Sequence, residues 1–161
     1  MLMKMLTDLM GKIWLRTPDQ LKNWAVRFTQ QRFTVTVGAV ISDEAGRVLL
    51  LHHRFRPGSG WGVPGGFLEH GEQPDEALRR ELREEVELEV QELELFATRA
   101  FQSVNQIEIV FRGRALGETD RLSFEIKRVA WFHLNELPNG LPPDQARLIK
   151  LALADGAETH D

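Results

Sequence analysis

The chain contains no cysteine. That absence excludes disulfides, thiolate zinc sites and a cysteine nucleophile, and it fits a cytoplasmic protein. Long hydrophobic runs are missing too. The N-terminus opens Met1-Leu2-Met3-Lys4-Met5-Leu6, but Asp8, Lys12 and Arg16 interrupt it and no small-residue cleavage site follows. A membrane span needs about 20 apolar residues. The sequence therefore reads as soluble and not exported, with no membrane partner. Positive charge is not in excess, since the formal net charge is -4. No basic surface advertises a stable nucleic-acid partner, although a metal ion can bring positive charge to an acidic protein. There are no repeats, low-complexity segments or linkers.

What is present is a chain of 161 residues with 42% hydrophobic content, enough for one domain with a sizeable core. Leu2, Leu6, Leu9 and Ile13 recur at helical spacing. Thr17-Pro18-Asp19-Gln20 looks like a second helix start, with Leu21, Trp24, Ala25 and Phe28 on one face. Residues 1–32 thus form a helical extension. Its expected role is to cover one face of the domain. A homodimer contact or a membrane-surface element is the other reading.

The domain itself is expected over 33–155. Phe33 to Ile41 alternates and is β-branched, hence a strand. Asp43-Glu44-Ala45-Gly46 is a turn, and Arg47 to His53 is the return strand. Further strands are expected at Leu93–Phe101, around Ile107–Arg112, and at Arg128–His133. Pro142 to Ala154 is a terminal helix, and 156–161 a loose tail. Interleaved strands and helices predict one α/β domain with a mixed sheet.

The chemistry concentrates in Gly65-Gly66-Phe67-Leu68-Glu69-His70-Gly71-Glu72 and the helix that follows it. Pro74 suits the first helical turn, and Asp75 and Glu76 suit its positive end. With Leu78 set at zero, Leu82 and Val86 fall at roughly 40° and 80° and define a buried stripe. Glu85, Glu81 and Glu84 fall near -20°, -60° and -120°, on one arc at the edge of that stripe, with Arg80 just beyond and Arg79 and Arg83 toward solvent. Carboxylates this close repel unless neutralised. A hard divalent cation does this, and Mg²⁺ favours oxygen ligands and substrate phosphates. The other reading is an exposed helix laced with Glu/Arg pairs such as Glu76–Arg80. Glu85 at the stripe's edge and the glycine loop upstream favour the cation.

Gly66, five residues, Glu72, seven residues, then Arg80-Glu81-Leu82-Arg83-Glu84-Glu85 resembles the Nudix box, and Trp61-Gly62-Val63-Pro64-Gly65-Gly66 looks like its usual approach. The likeness extends from Phe33 to Ala154. It implies an α/β/α sandwich around a mixed sheet. It also implies hydrolysis of a small nucleotide substrate, a nucleoside diphosphate linked to a group X, with Mg²⁺ (or Mn²⁺) as cofactor. Glu81, Glu84 and Glu85 are the implied metal ligands, and the Gly65 carbonyl adds another. Arg80 is expected to hold a box glutamate, and Glu72 to support the loop and sometimes the metal shell, and to stand with Arg54 and Arg56 among the substrate-binding candidates. Glu125 is a further metal-binding or base glutamate, and Glu81 and Glu125 are the candidate bases for water activated by the cation.

ADP-ribose or another nucleotide sugar is the leading substrate, with an oxidised nucleoside triphosphate or a dinucleoside polyphosphate as runner-up. A module that binds nucleotides without cleaving them is the alternative of another class, and the complete set of box carboxylates argues against it. Arg54 and Arg56 are candidates to grip phosphates or a sugar, and Phe55 or Trp61 to stack on a base. Trp61 is read chiefly as core and His133 as a packed strand residue. The box departs from its pattern at Glu87, where glycine is usual. A glutamate in a left-handed exit costs roughly 1–2 kcal/mol, so the helix is expected to run on or to leave differently.

Overall fold

The computed structural model describes residues 3, 7–8, 14–119 and 121–157. Most of the helix expected around Leu2 to Ile13 lies outside them. The chain divides into two compact units, Met1–Arg32 and Phe33–Asp161. In the first, helix α1 (Asp19–Thr29) begins one residue after Pro18. The Pro18 carbonyl accepts from the Leu21 and Lys22 amides at 3.0 and 3.1 Å. Leu21 and Trp24 on this helix are exposed. Among the described residues no helix is long and apolar enough to cross a membrane.

The second unit is a mixed sheet of seven strands: β1 (Thr34–Ser42), β2 (Val48–His53), β3 (Trp61–Gly62), β4 (Gly65–Phe67), β5 (Glu89–Phe101), β6 (Gln106–Leu116) and β7 (Ile126–Phe132). The main path runs β3-β2-β1-β6-β5, with β4 antiparallel to β1 and β7 antiparallel to β2. The centre is the parallel pair β1/β6, in register from Thr34↔Gln106 to Ser42↔Arg114. Parallel pairing demands burial on both faces, and the side chains comply. Val37, Ala39, Ile41, Leu49 and Leu51 point to one core, with Leu78, Leu82 and Val86 of helix α2 (Pro74–Val86). Val40, Val48 and Leu50 point to the other, with Leu148 and Ile149 of helix α3 (Pro143–Ala157). Alternation along β1 and β2 thus feeds two layers, and the result is the expected α/β/α sandwich.

Several local expectations change. Strand β5 starts four residues earlier than Leu93, and a bulge with Glu92 at φ 53 lets it bend along β6. Helix α3 runs to Ala157, past the point where the tail was placed; residues 158–161 lie outside the described ones. His133 is exposed because β7 stops at Phe132, and it caps a short 3₁₀ turn instead of packing. Arg79 is half-buried and donates to the Val90 carbonyl at 2.6 Å, so it does not face open water. Glu87 does not extend helix α2. It adopts φ 53, ψ 34 as the left-handed cap, and the Leu88 amide reaches the Leu82 carbonyl at 3.2 Å. This is the exit glycine would make. Burial of Leu88 just beyond it supplies what the backbone strain costs.

Candidate active site

Strand β4 brings the glycine loop to the helix. Gly65 and Gly66 pair with Gly38 and Val37 of β1. A Cβ on Gly65, whose φ is 146, would lie 2.1 Å from the Val37 carbonyl oxygen. A Cβ on Gly66 would lie 2.2 Å from the Glu81 carboxylate. Both glycines are therefore required by close approach, one to a strand and one to a candidate ligand.

Arg80 organises the loop against the helix. Its Nε and Nη2 donate to the two Glu72 oxygens at 2.9 and 3.1 Å, its Nη1 to Glu81 at 3.0 Å and Glu84 at 3.3 Å, and its Nη2 also to the Phe67 carbonyl at 3.0 Å. Glu72 accepts in addition from the Glu69 amide at 3.1 Å. Both Glu72 oxygens thus have partners within the box. The Arg80 hydrogen bonds hold the Glu72 carboxyl below its usual range.

Glu85 is the buried acid of the helix, 7% exposed. Its Oε2 is enclosed and has no hydrogen-bond partner. Burial pushes its pKa up to about 8, and the charges of Glu81 and Glu125 add to that. A backbone hydrogen bond at Gly65 and the Arg56 charge pull the other way. Burial also raises Glu81, against the pull of Arg80. Two neighbouring acids with raised pKa and an orphaned carboxylate oxygen form an all-oxygen donor set that a hard divalent cation would satisfy. Glu84 stands apart from them, with its side chain 62% exposed and leaning on Arg80. Among the described residues no three acidic or histidine side chains already converge as a cage.

Glu125 reaches the site on the segment before β7. The Ser123 amide donates to the Glu85 carbonyl at 2.9 Å, and the Arg54 amide to the Glu125 carbonyl at 2.8 Å. Arg54 is exposed and donates through Nε to the Phe124 carbonyl at 3.0 Å. Arg56 is half-buried, packed against Gly62, and its Nη1 is enclosed without a hydrogen-bond partner. Trp61 is half-buried, edge-on to His52 and Phe132 at 5.1 and 5.2 Å, which is a packing role.

Sequence reasoning missed one side of the site. A groove of about 220 Å³ runs beside Gly65 and Gly66, and Arg56, Thr36, Gln106, Glu108 and Gln145 line it. Glu108 is ion-paired with Arg99, which also donates to Asp144 at 3.0 Å. Gln106 donates to Thr36 at 2.8 Å and Gln145 accepts from the Val63 amide at 3.0 Å. Gln106 and Glu108 alternate with Ile107 and Ile109 along β6, a strand paired on both sides, and that polar face was the available signal. At His53, burial, then the Arg56 and His52 charges, lower the pKa to about 4, so the imidazole is neutral at the edge of the carboxylates.

The family model described as NUDIX domain matches residues 32–152. A MutT-like protein from Streptomyces ambofaciens is 32% identical over 127 residues, 79% of this chain and 80% of that one. An NAD-capped RNA hydrolase NudC from Pasteurella multocida is 31% identical over 106 residues, 65% of this chain and 40% of that longer one. A crystal structure of a NUDIX hydrolase from Nitrosomonas europaea superposes with a TM-score of 0.71 at 26% identity, over 81% of this chain and 75% of that one. By the matched domain, by the relative that shares it at nearly full length and by the common fold, this chain belongs to the Nudix family and is a Nudix hydrolase.

Proposed function

We propose that this chain is a Mg²⁺-dependent (or Mn²⁺-dependent) pyrophosphatase that cleaves a nucleoside diphosphate linked to X. The observation that carries this reading is the enclosed, partnerless Glu85 Oε2 beside Glu81 and Gly65. Glu81 and Glu85 would hold the cation with the Gly65 carbonyl, and Glu84 would join on release from Arg80. The cation would supply charge to the phosphate oxygens and acidify a water. The chain's own residues do the rest. Arg80 holds Glu81 in place while Glu72 holds Arg80. Arg56, with an enclosed donor to spare, suits a phosphate oxygen. Glu81 and Glu125 are the candidates to take the water's proton.

ADP-ribose or another nucleotide sugar is the leading substrate class. Supporting it, the groove offers Thr36, Gln106, Glu108 and Gln145, donors and acceptors suited to sugar hydroxyls. Nucleoside triphosphates, oxidised ones included, and dinucleoside polyphosphates come second. The NudC relatives bring NAD-capped RNA onto the same list, while a formal net charge of -4 favours small substrates over long nucleic acid.

A panel of these compounds, each with Mg²⁺ and with chelator, tests the reading. Metal-dependent release of a nucleotide is expected from at least one. Binding without metal-dependent turnover of any would leave a nucleotide-binding module instead. With a substrate in hand, Glu85→Gln should lower kcat by orders of magnitude in a folded protein.

A further inference from the structure

Phe55 and Phe124 are 68% and 74% exposed. Single exposed apolar side chains on a surface are ordinary, but these two are not scattered. They come from separate loops, and their rings meet at a centroid separation of 6.0 Å and a 46° tilt, an aromatic contact that leaves their outer surfaces open to water. The Arg54 guanidinium lies over the Phe124 ring at 5.1 Å, and its Nε is bonded to the Phe124 carbonyl. Backbone bonds on either side fix the Phe124 segment. Ser123 is tied to Glu85 of the box helix, and Glu125 to Arg54. Phe124 therefore lies between Ser123, whose amide is tied to the main chain of the box helix, and Glu125, the candidate base. Two apolar rings are held open to water, beside a cation and next to the phosphate chemistry.

We propose that Phe124, together with Phe55, is the stacking platform for the nucleobase of the substrate; this rests on the hydrolase reading above. Every nucleobase presents a π face, and aromatic rings and guanidinium planes take it without reading its edge. A base stacked on the exposed surface of the pair covers both rings from water, and the sugar and phosphates then lead toward Glu125 and Glu85. The platform selects for nucleotides over other phosphorylated compounds and is tolerant of which base it takes.

AMP and ribose 5-phosphate differ by the base alone, so calorimetric titration of the full chain with each, in Mg²⁺, tests the platform directly. The unaltered chain is expected to bind AMP about tenfold more tightly than ribose 5-phosphate, and UMP to behave as AMP does. Phe124→Ala and Phe55→Ala, both exposed and expected to fold, should bring the ratio toward one. Phe124→Trp should restore it. An AMP preference that survives both alanine substitutions, or no preference in the unaltered chain, overturns the proposal. The hydrolysis panel decides the other question separately. A chain that turns over no pyrophosphate yet shows a Phe124-dependent preference for AMP would sink the enzyme reading and leave the platform standing. Turnover with a Phe124-independent preference does the reverse.

Discussion

The Nδ1 of His53 lies 3.7 Å from the Oε1 of Glu85, yet the two do not form an ion pair. Burial lowers the histidine to about 4 and raises the glutamate to about 8, so near neutral pH both are uncharged. The contact is too long for a hydrogen bond, and both groups keep an enclosed atom without a partner.

A pH dependence of stability follows for the chelated protein. Glu85 is raised from 4.5 to about 8 on folding, so the folded chain binds more protons than the unfolded one across that window. Its contribution is present below 4.5 and is lost as pH rises through about 8. His53, lowered from 6.5 to about 4, works oppositely: its contribution is present above 6.5 and is lost as pH falls through 4. Of these two groups only Glu85 acts between pH 6.5 and 8, and its contribution should fall by at most about 1.4 kcal/mol per pH unit. Denaturant unfolding in chelator should show this slope, Glu85→Gln should flatten it, and Mg²⁺ should reverse it. A flat profile in the unaltered chain would mean that Glu85 is not raised.

Gly66→Ala places a methyl 2.2 Å from the Glu81 carboxylate. The side chain of Glu81 must swing away, because the β4 backbone is paired to β1. A displacement near 1 Å in a catalytic group costs on the order of a hundredfold in rate. Steady-state kinetics should show that loss in kcat, with the far-ultraviolet circular dichroism unchanged. A rate within a fewfold of the unaltered chain would remove Glu81 from the machinery.

Glu87→Gly should stabilise the protein. Glu87 sits at φ 53 as the left-handed cap of helix α2, where a side chain costs about 1 kcal/mol. Its ion pair with Arg121 is long, at 4.0 Å, and exposed, so little is lost with it. Thermal unfolding should shift upward by a few degrees with the rate unaltered. A downward shift would mean that the Glu87 side chain stabilises this exit more than its backbone strains it.

The same residue marks the limit of what sequence conveys here. Helix α2 was legible because Leu78, Leu82 and Val86 repeat at its period and Pro74 opens it. Glu81 and Glu85 followed from that geometry. At Glu87 the local preference against a left-handed residue misled, because burial of Leu88 outweighs it. The groove was not legible either. Glu108, Gln145 and Arg56 meet only through the β1/β6 pairing and the return of helix α3, which no local pattern encodes. Glu84 already stood at the far end of the helical arc, with Glu81 and Glu85 the better ligands, and its exposed side chain, against their enclosed ones, is what the tertiary structure adds.

The Arg80 contacts give the sharpest separation of charge from geometry. Arg80 holds five acceptors on four residues, Glu72, Glu81, Glu84 and Phe67. Lysine keeps the charge but offers a point donor where the guanidinium offers a fork. In Arg80→Lys the paired bonds to Glu72 are lost, and Glu81 and the glycine loop are no longer held to one another. Stability should fall by about 1–3 kcal/mol, as for hydrogen bonds to charged groups. The rate should fall further than Arg80's distance from the reacting atoms suggests, because Glu81 is positioned through it. Titration of activity with Mg²⁺ distinguishes two causes. If Arg80 acts by positioning Glu81, the concentration needed for half-maximal rate rises along with the fall in kcat. An unchanged Mg²⁺ requirement with the same fall in kcat would show that Arg80 acts apart from the cation.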